Sequence, residues 1–298
     1  MRAMPLDADL LVDRRRLKRR LSLWRGLAVL GLAGLVLALL LRGEDRLGLF
    51  PAGAHVARLE VEGFIGDDRR VQEALERIRR DDTVRALIVA IDSPGGSVSG
   101  GEALHGALRR VAERKPVVAV MGGTAASAGY MAALPAARVF AREATVTGSI
   151  GVVMQSVDAS ELAARLGVRV EALPSGAFKD QPNPFRPLTE DGRAELMRVV
   201  RDLHEQFVAM VAAGRDMPVE RVRELADGRI FTGREAVRLG LVDAIGGEVE
   251  ARAWLAETRA VPAELPARTI EIRGLAERTF GAALDAVLRA AFGPWLVR

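Results

Sequence analysis

Apolar and polar positions divide this chain into one long apolar run near the N-terminus and a longer stretch in which short apolar runs alternate with amphipathic ones. Gly26 to Leu41 is an unbroken run of sixteen apolar residues, and reaching back to Leu21 gives twenty-one interrupted only by Ser22 and Arg25. About twenty such residues span a bilayer, and an arginine near the end can carry its charged head to the interface. The cluster Arg14–Arg20 precedes the run, and Glu44 and Asp45 follow it. The positive-inside rule then predicts a cytoplasmic basic tail (1–25), a transmembrane signal anchor (26–42), a linker (43–54) and a large folded part outside. The junction Leu41-Arg42-Gly43-Glu44 lacks the small residues of a signal-peptide cleavage site, so the anchor is expected to stay attached.

From His55 onward the pattern predicts strands at Val56–Val61, Val84–Ile91, Pro116–Met121, Val139–Val146 and Val168–Leu173. Val84–Ile91 is apolar almost throughout, as a strand covered on both faces would be. Arg69–Arg80 reads as a helix with Val71, Leu75 and Ile78 on one face. Ser99-Gly100-Gly101-Glu102 and Thr232-Gly233-Arg234-Glu235 read as capping boxes opening helices. Further helices are expected near Ala159–Leu166 and over Thr189–Ala213, with a Pro-rich loop, Pro174–Pro187, before the second. Strands alternating with helices imply an α/β fold built on parallel βαβ units, in a single copy. The folded domain is expected to cover 55–262. Within a C-terminal segment, 263–298, Gly274–Ala291 is amphipathic and suits packing or oligomer contact better than a second span.

Composition removes several function classes. The chain has no cysteine, which excludes disulfides, thiol nucleophiles and Cys-based metal sites. His55, His105 and His204 stand far apart and make no zinc-binding pair, so neither metal nor cofactor is expected. The formal charge is +4, but residues 1–25 hold eight Lys/Arg against Asp7, Asp9 and Asp13, so the rest is close to neutral. The basic character belongs to the tail and does not argue for nucleic-acid binding.

Candidate chemistry lies in three loops. Of forty-three Lys+Arg only Lys18, Lys115 and Lys179 are lysine, and Lys179 sits in the loop Pro174-Ser175-Gly176-Ala177-Phe178-Lys179-Asp180. A desolvated ammonium can give up its proton and act as a base, which a guanidinium cannot. Asp92-Ser93-Pro94-Gly95-Gly96-Ser97 can turn backbone N–H groups toward a developing oxyanion, or be an ordinary strand-to-helix turn. In Gly122-Gly123-Thr124-Ala125-Ala126-Ser127-Ala128-Gly129-Tyr130 the small residues leave Ser127 approachable. Ser127 suits a nucleophile or a helix N-cap. A serine and a neutral lysine suffice for nucleophilic catalysis without histidine.

In combination these motifs resemble the bacterial signal peptide peptidases of peptidase family S49, in their membrane-anchored single-repeat form. The motifs are Asp92-Ser93-Pro94-Gly95-Gly96, Ala126-Ser127-Ala128-Gly129-Tyr130, Thr147-Gly148-Ser149-Ile150-Gly151-Val152, Ser175-Gly176-x-x-Lys179-Asp180, and Leu225-Ala226-Asp227-Gly228-Arg229 with Thr232-Gly233 and Gly240-Leu241-Val242-Asp243. The resemblance implies a Clp protease/crotonase-like ββα superhelix on a parallel sheet. It implies Ser127 as nucleophile, Lys179 as general base and Ser149 as the residue that orients the lysine. The oxyanion hole would be the amides of Gly95, or alternatively Gly96, and of Ala128. It implies a homo-oligomeric ring with sites shared between protomers, remnant signal peptides as substrates, and a bacterial inner membrane with the catalytic domain on the extracytoplasmic side. The family usually has glycine after the nucleophile, so the Ala128 methyl is expected to narrow the pocket. Tyr130 is expected to pack beneath the site, and His105 to stay outside the chemistry. The rival readings are a crotonase-type acyl-CoA enzyme, a same-clan protease specific for one membrane protein, and a non-catalytic ring scaffold.

Overall fold

The computed structural model describes residues 53–270. The expected basic tail and anchor, and the amphipathic segment Gly274–Ala291, lie outside the described residues. Among those residues no helix is long and apolar enough to cross a membrane.

Parallel strands form the frame. β1 (His55–Ile65), β2 (Val84–Gly96) and β3 (Val117–Ala126) are its long members, joined by α1 (Arg69–Arg80) and α2 (Val98–Ala112). β3 is followed by α3 (Ala128–Ala133), β4 (Arg138–Ala141) and β5 (Val146–Gly148). Next come α4 (Ser160–Arg165), α5 (Glu190–Arg215), α6 (Val219–Leu225), β6 (Ile230–Thr232), α7 (Gly233–Leu239), β7 (Ala244–Ile245), α8 (Glu248–Arg259) and β8 (Ala267–Thr269). The strand order is β6-β5-β3-β2-β1-β8, with β4 between β3 and β7. Every pairing is parallel except β5 with β6.

Successive strand residues point to opposite faces, and both faces are covered here. Leu87, Val89 and Ile91 of β2 join Leu59, Val61 and Met121 in a large core that also takes in Leu75, Leu108, Tyr130 and Phe207. Ala86 and Ile88 face the other way, onto Val118, Phe140, Ala251 and Leu255. This double covering is why the β2 segment is apolar at nearly every position.

Several elements differ from the sequence expectation. The cap of α2 is Ser97, whose Oγ accepts from Gly100 N–H at 3.1 Å, and not Ser99. Val139–Val146 is two short strands: β4 pairs with 118–121 of β3 and β5 with 124–126. A turn between them is held by Thr145, which donates to Gly122 O at 2.7 Å and accepts from Arg142 N–H. Val168–Leu173 is not a strand, because no neighbouring strand among the described residues offers it a ladder, and its apolar side chains stay exposed. β8 joins β1 beyond residue 262, so the sheet reaches into the stretch read as a C-terminal segment. The capping box at Thr232 forms as expected.

The last turn of α5 is tied down by charge. Arg215 gives two hydrogen bonds to Asp243, at 2.6 and 3.1 Å, and a third to Gly240 O at 3.0 Å. Burial works to raise the Asp243 pKa, but the hydrogen bond and charge of Arg215 outweigh it and hold the carboxyl below its ordinary value.

Candidate active site

The C-terminal ends of parallel strands are where open α/β sheets bind ligands, and here three such ends lie side by side. Ser93 of β2 pairs with Ala125 of β3, and Ala126 of β3 pairs with Gly148 of β5. The ends carry Gly95 and Gly96, then Ser127, then Ser149.

Ser127 joins β3 to α3 with φ 53° and ψ −120°. A residue with a side chain enters that region at a cost of about 1–3 kcal/mol, so surrounding bonds must impose it. Its N–H donates to Gly148 O at 2.9 Å, and its carbonyl accepts from Tyr130 and Met131 at 2.9 and 3.0 Å. Ser127 holds the N-cap position of α3, but its hydroxyl makes no cap bond. The sharp strand-to-helix turn leaves Ser127 half-buried. The amide of the next residue, Ala128, makes no hydrogen bond with any described residue.

The Ala128 methyl does not narrow the site. Ala128 is buried, and a β-carbon on Gly101 of α2 would lie 2.9 Å from its Cβ. The methyl thus fills space that Gly101 leaves between α2 and α3. Gly129 must be small for a similar reason: a β-carbon there would come within 2.9 Å of Ser93 O.

The two glycines after Pro94 are not equivalent. Gly95, at φ +124°, packs on the serine: a β-carbon there would stand 2.9 Å from Ser127 Cβ and 3.3 Å from its Oγ. Its own N–H, however, donates to Ser93 Oγ at 3.1 Å. The Gly95 amide is therefore already engaged. Gly96 is the remaining amide, and strand alternation turns it away from β1, since Ser97 N–H donates to Ile65 O at 3.0 Å.

Ser149 also has positive φ, at 49°, and its N–H donates to Arg229 O at 2.8 Å. Its hydroxyl has no hydrogen-bond partner among the described residues. Lys179 lies elsewhere, in an exposed segment between β5 and α5. Its backbone N–H donates to Gly176 O at 3.1 Å, and its ammonium has no ion-pair or hydrogen-bond partner among the described residues. The fold thus gathers Ser127, Ser149, Gly95, Gly96 and Ala128, but among the described residues of one chain no basic side chain bonds to Ser127.

Two other singled-out residues have structural places. Tyr130 is fully buried and donates to Leu241 O at 2.8 Å, and burial pushes its phenol far above the ordinary value. His105 bonds through Nδ1 to Met131 O at 3.1 Å, and burial lowers its pKa. Ser93 carries more than sequence reasoning gave it. Its signal in the sequence was its place in the Asp92-Ser93-Pro94-Gly95-Gly96 motif, which gave the serine itself no role.

Among the described residues no group of His, Asp or Glu could hold a metal ion. What the strand ends offer is a hydroxyl on a strained turn with backbone amides beside it, which suits acyl transfer.

Comparison with known proteins agrees. Residues 109–262 match the family described as Peptidase family S49. "Putative protease slr0021" of Synechocystis sp. is 40% identical over 203 residues, covering 67% of this chain and 73% of that protein. "Putative signal peptide peptidase SppA" of Enterococcus faecium is 35% identical, covering 68% of this chain and 63% of its own length. "Serine protease SPPA, chloroplastic" of Arabidopsis thaliana is 30% identical over 77% of this chain, but only 35% of its own length is matched. Among solved structures, a ClpP1 mutant from Listeria monocytogenes aligns over 64% of this chain and 91% of its own, at 18% identity and a TM-score of 0.42, a likeness too slight to argue from. With half of its length matched by the family and a relative this similar over two thirds of it, the chain belongs to peptidase family S49.

Proposed function

We propose that this peptidase is a serine endopeptidase in which Ser127 is the nucleophile and Lys179, supplied by a neighbouring copy, is the general base. The observation that carries the reading is the Ser127 turn: a hydroxyl at φ 53° that caps nothing, beside the unengaged Ala128 amide. In the reaction, Ser127 Oγ attacks the scissile carbonyl while its proton passes to the neutral lysine amine. The carbonyl electron pair moves onto oxygen, where the amides of Ala128 and Gly96 stabilise it. Collapse expels the amine with the returned proton, and water then cleaves the acyl-enzyme by the same steps. Ser149 orients the amine.

The shared site is supported by the segment that carries Lys179. α4 buries none of its residues, and Val153, Val157, Leu166 and Leu173 are each more than two-thirds exposed. So much apolar surface on one arm suits a protein neighbour, and burial there would remove water from the lysine. Membrane anchoring through 26–42 rests on the apolar run and its charge asymmetry. Remnant signal peptides are the proposed substrates: they are left in the membrane, and the Enterococcus faecium relative is named for them.

A fluorophosphonate probe tests the reading. Labelling at Ser127 is expected, and its loss in Ser127→Ala. Peptidase activity that survives Ser127→Ala or Lys179→Ala rejects the dyad. Product analysis from membranes, wild type against Ser127→Ala, tests the substrate class.

A further inference from the structure

We infer that Ser93 is a positioning residue for acyl transfer, its buried hydroxyl deciding which glycine amide faces the nucleophile. The inference rests on the serine-peptidase reading above and adds to it.

Ser93 is fully buried, one of few polar residues among the described ones with so little exposure. It sits where the β1–β2 ladder breaks: Glu62 pairs with Asp92, but Phe64 pairs with Gly95, so the register shifts across Gly63. A break in a buried ladder leaves an amide and a carbonyl to be satisfied. Ser93 Oγ supplies both partners, donating to Gly63 O at 2.6 Å and accepting from Gly95 N–H at 3.1 Å. A weaker approach to Gly95 O is 3.3 Å. One hydroxyl thereby stands in for the missing rung.

The same residue touches the nucleophile's helix. Ser93 O and Cβ would lie 2.9 and 3.4 Å from a β-carbon on Gly129, so Ser93 lies directly under the first turn of α3. Gly95, which Ser93 holds, packs on Ser127 itself. Ser93 therefore bridges β1, the glycine turn and the nucleophile's helix. With the Gly95 amide turned inward and held, the peptide plane that follows presents Gly96 N–H on the opposite side. Without the hydroxyl, Gly95 N–H has no buried partner and only the pairing of Gly95 and Gly96 with Phe64 and Ile65 holds the turn, so the amide meant for the oxyanion is less firmly oriented. Misplacement of about 1 Å at such a donor costs on the order of 100-fold in rate.

The experiment uses the full-length chain and two probes of one peptide sequence, an aldehyde and the corresponding alcohol. On the aldehyde, Ser127 Oγ adds to the carbonyl carbon, its proton leaves to the base, and the carbonyl electron pair becomes an oxyanion. The alcohol fills the same subsites but forms no bond and no oxyanion. For Ser93→Ala, kcat is expected to fall by roughly 100-fold with KM within about twofold, and the aldehyde-to-alcohol affinity ratio to fall by a similar factor. Thr145→Val removes another buried hydroxyl, bonded to Gly122 O, and is expected to lower Tm while leaving that ratio unchanged. If Ser93→Ala fails to fold by circular dichroism, Ser93→Cys keeps the volume with a weaker donor and is expected to show an intermediate ratio. A Ser93 variant that folds with the wild-type ratio overturns the inference. A wild-type enzyme that binds aldehyde no better than alcohol overturns the serine-peptidase reading instead.

Discussion

Gly95 and Ser127 are built against each other, with the serine occupying the space a side chain on Gly95 would need: a β-carbon there would meet Ser127 Cβ at 2.9 Å, Ala126 O at 3.3 Å and Ser127 Oγ at 3.3 Å. Gly95 also has φ +124°, a conformation side chains resist. Gly95→Ala should therefore damage both stability and the nucleophile's position, lowering Tm and cutting fluorophosphonate labelling by at least ~10-fold. Gly176→Ala in the Lys179 loop meets nothing within 4 Å, and its Tm should match wild type.

The turn at Ser127 stores strain that glycine would relieve. Ser127→Gly should raise Tm by a few degrees, equivalent to about 1 kcal/mol, while abolishing turnover. Ser127→Ala keeps the strained φ and should lose activity without that gain. Thermal melts of the three proteins decide it.

If the base comes from a neighbouring copy, Ser127→Ala and Lys179→Ala chains are each inactive alone but active when mixed under conditions that allow exchange of subunits. Leu173→Glu, on the exposed arm, should shift the protein to smaller species by light scattering and lower activity in parallel. A monomer with full activity would refute the shared site.

His105 makes a pH prediction. Burial lowers its folded pKa from 6.5, so the folded state resists protonation. Above the unfolded pKa both states are neutral and His105 imposes no cost. As pH falls below about 6.5 the unfolded state takes up a proton first, and stability declines. His105→Gln should flatten the denaturant midpoint between about pH 7 and 5.

Asp243, held by Arg215, shifts in the same direction but acts at a lower pH. The folded pKa of Asp243 is depressed, so its contribution is present above the ordinary value of 3.8 and is lost as pH falls through the lower folded value. Arg215→Ala leaves a partly buried carboxylate without its partner and should cost about 3 kcal/mol in urea unfolding.

Local pattern and chemistry, read along the chain, were enough for the βαβ frame, the doubly covered β2 strand, the capping box at Thr232 and the candidate residues Ser127 and Lys179, whereas Ser149 entered only through the family resemblance. Those features depend on periodicity, on turn chemistry and on which side chains can act as nucleophile or base, all of which are written in neighbouring residues. The φ of Ser127, the commitment of Gly95 N–H to Ser93, the fit of Ala128 against Gly101 and the unpaired state of Val168–Leu173 were not legible there. Each depends on what another segment brings to within a few ångströms: Gly148 O at the end of β5, Gly63 O at the break in β1, a bare α-carbon on α2, or the absence of a strand to pair with. Backbone pairing and close packing across the sheet are relations between distant residues, and only the folded chain decides them.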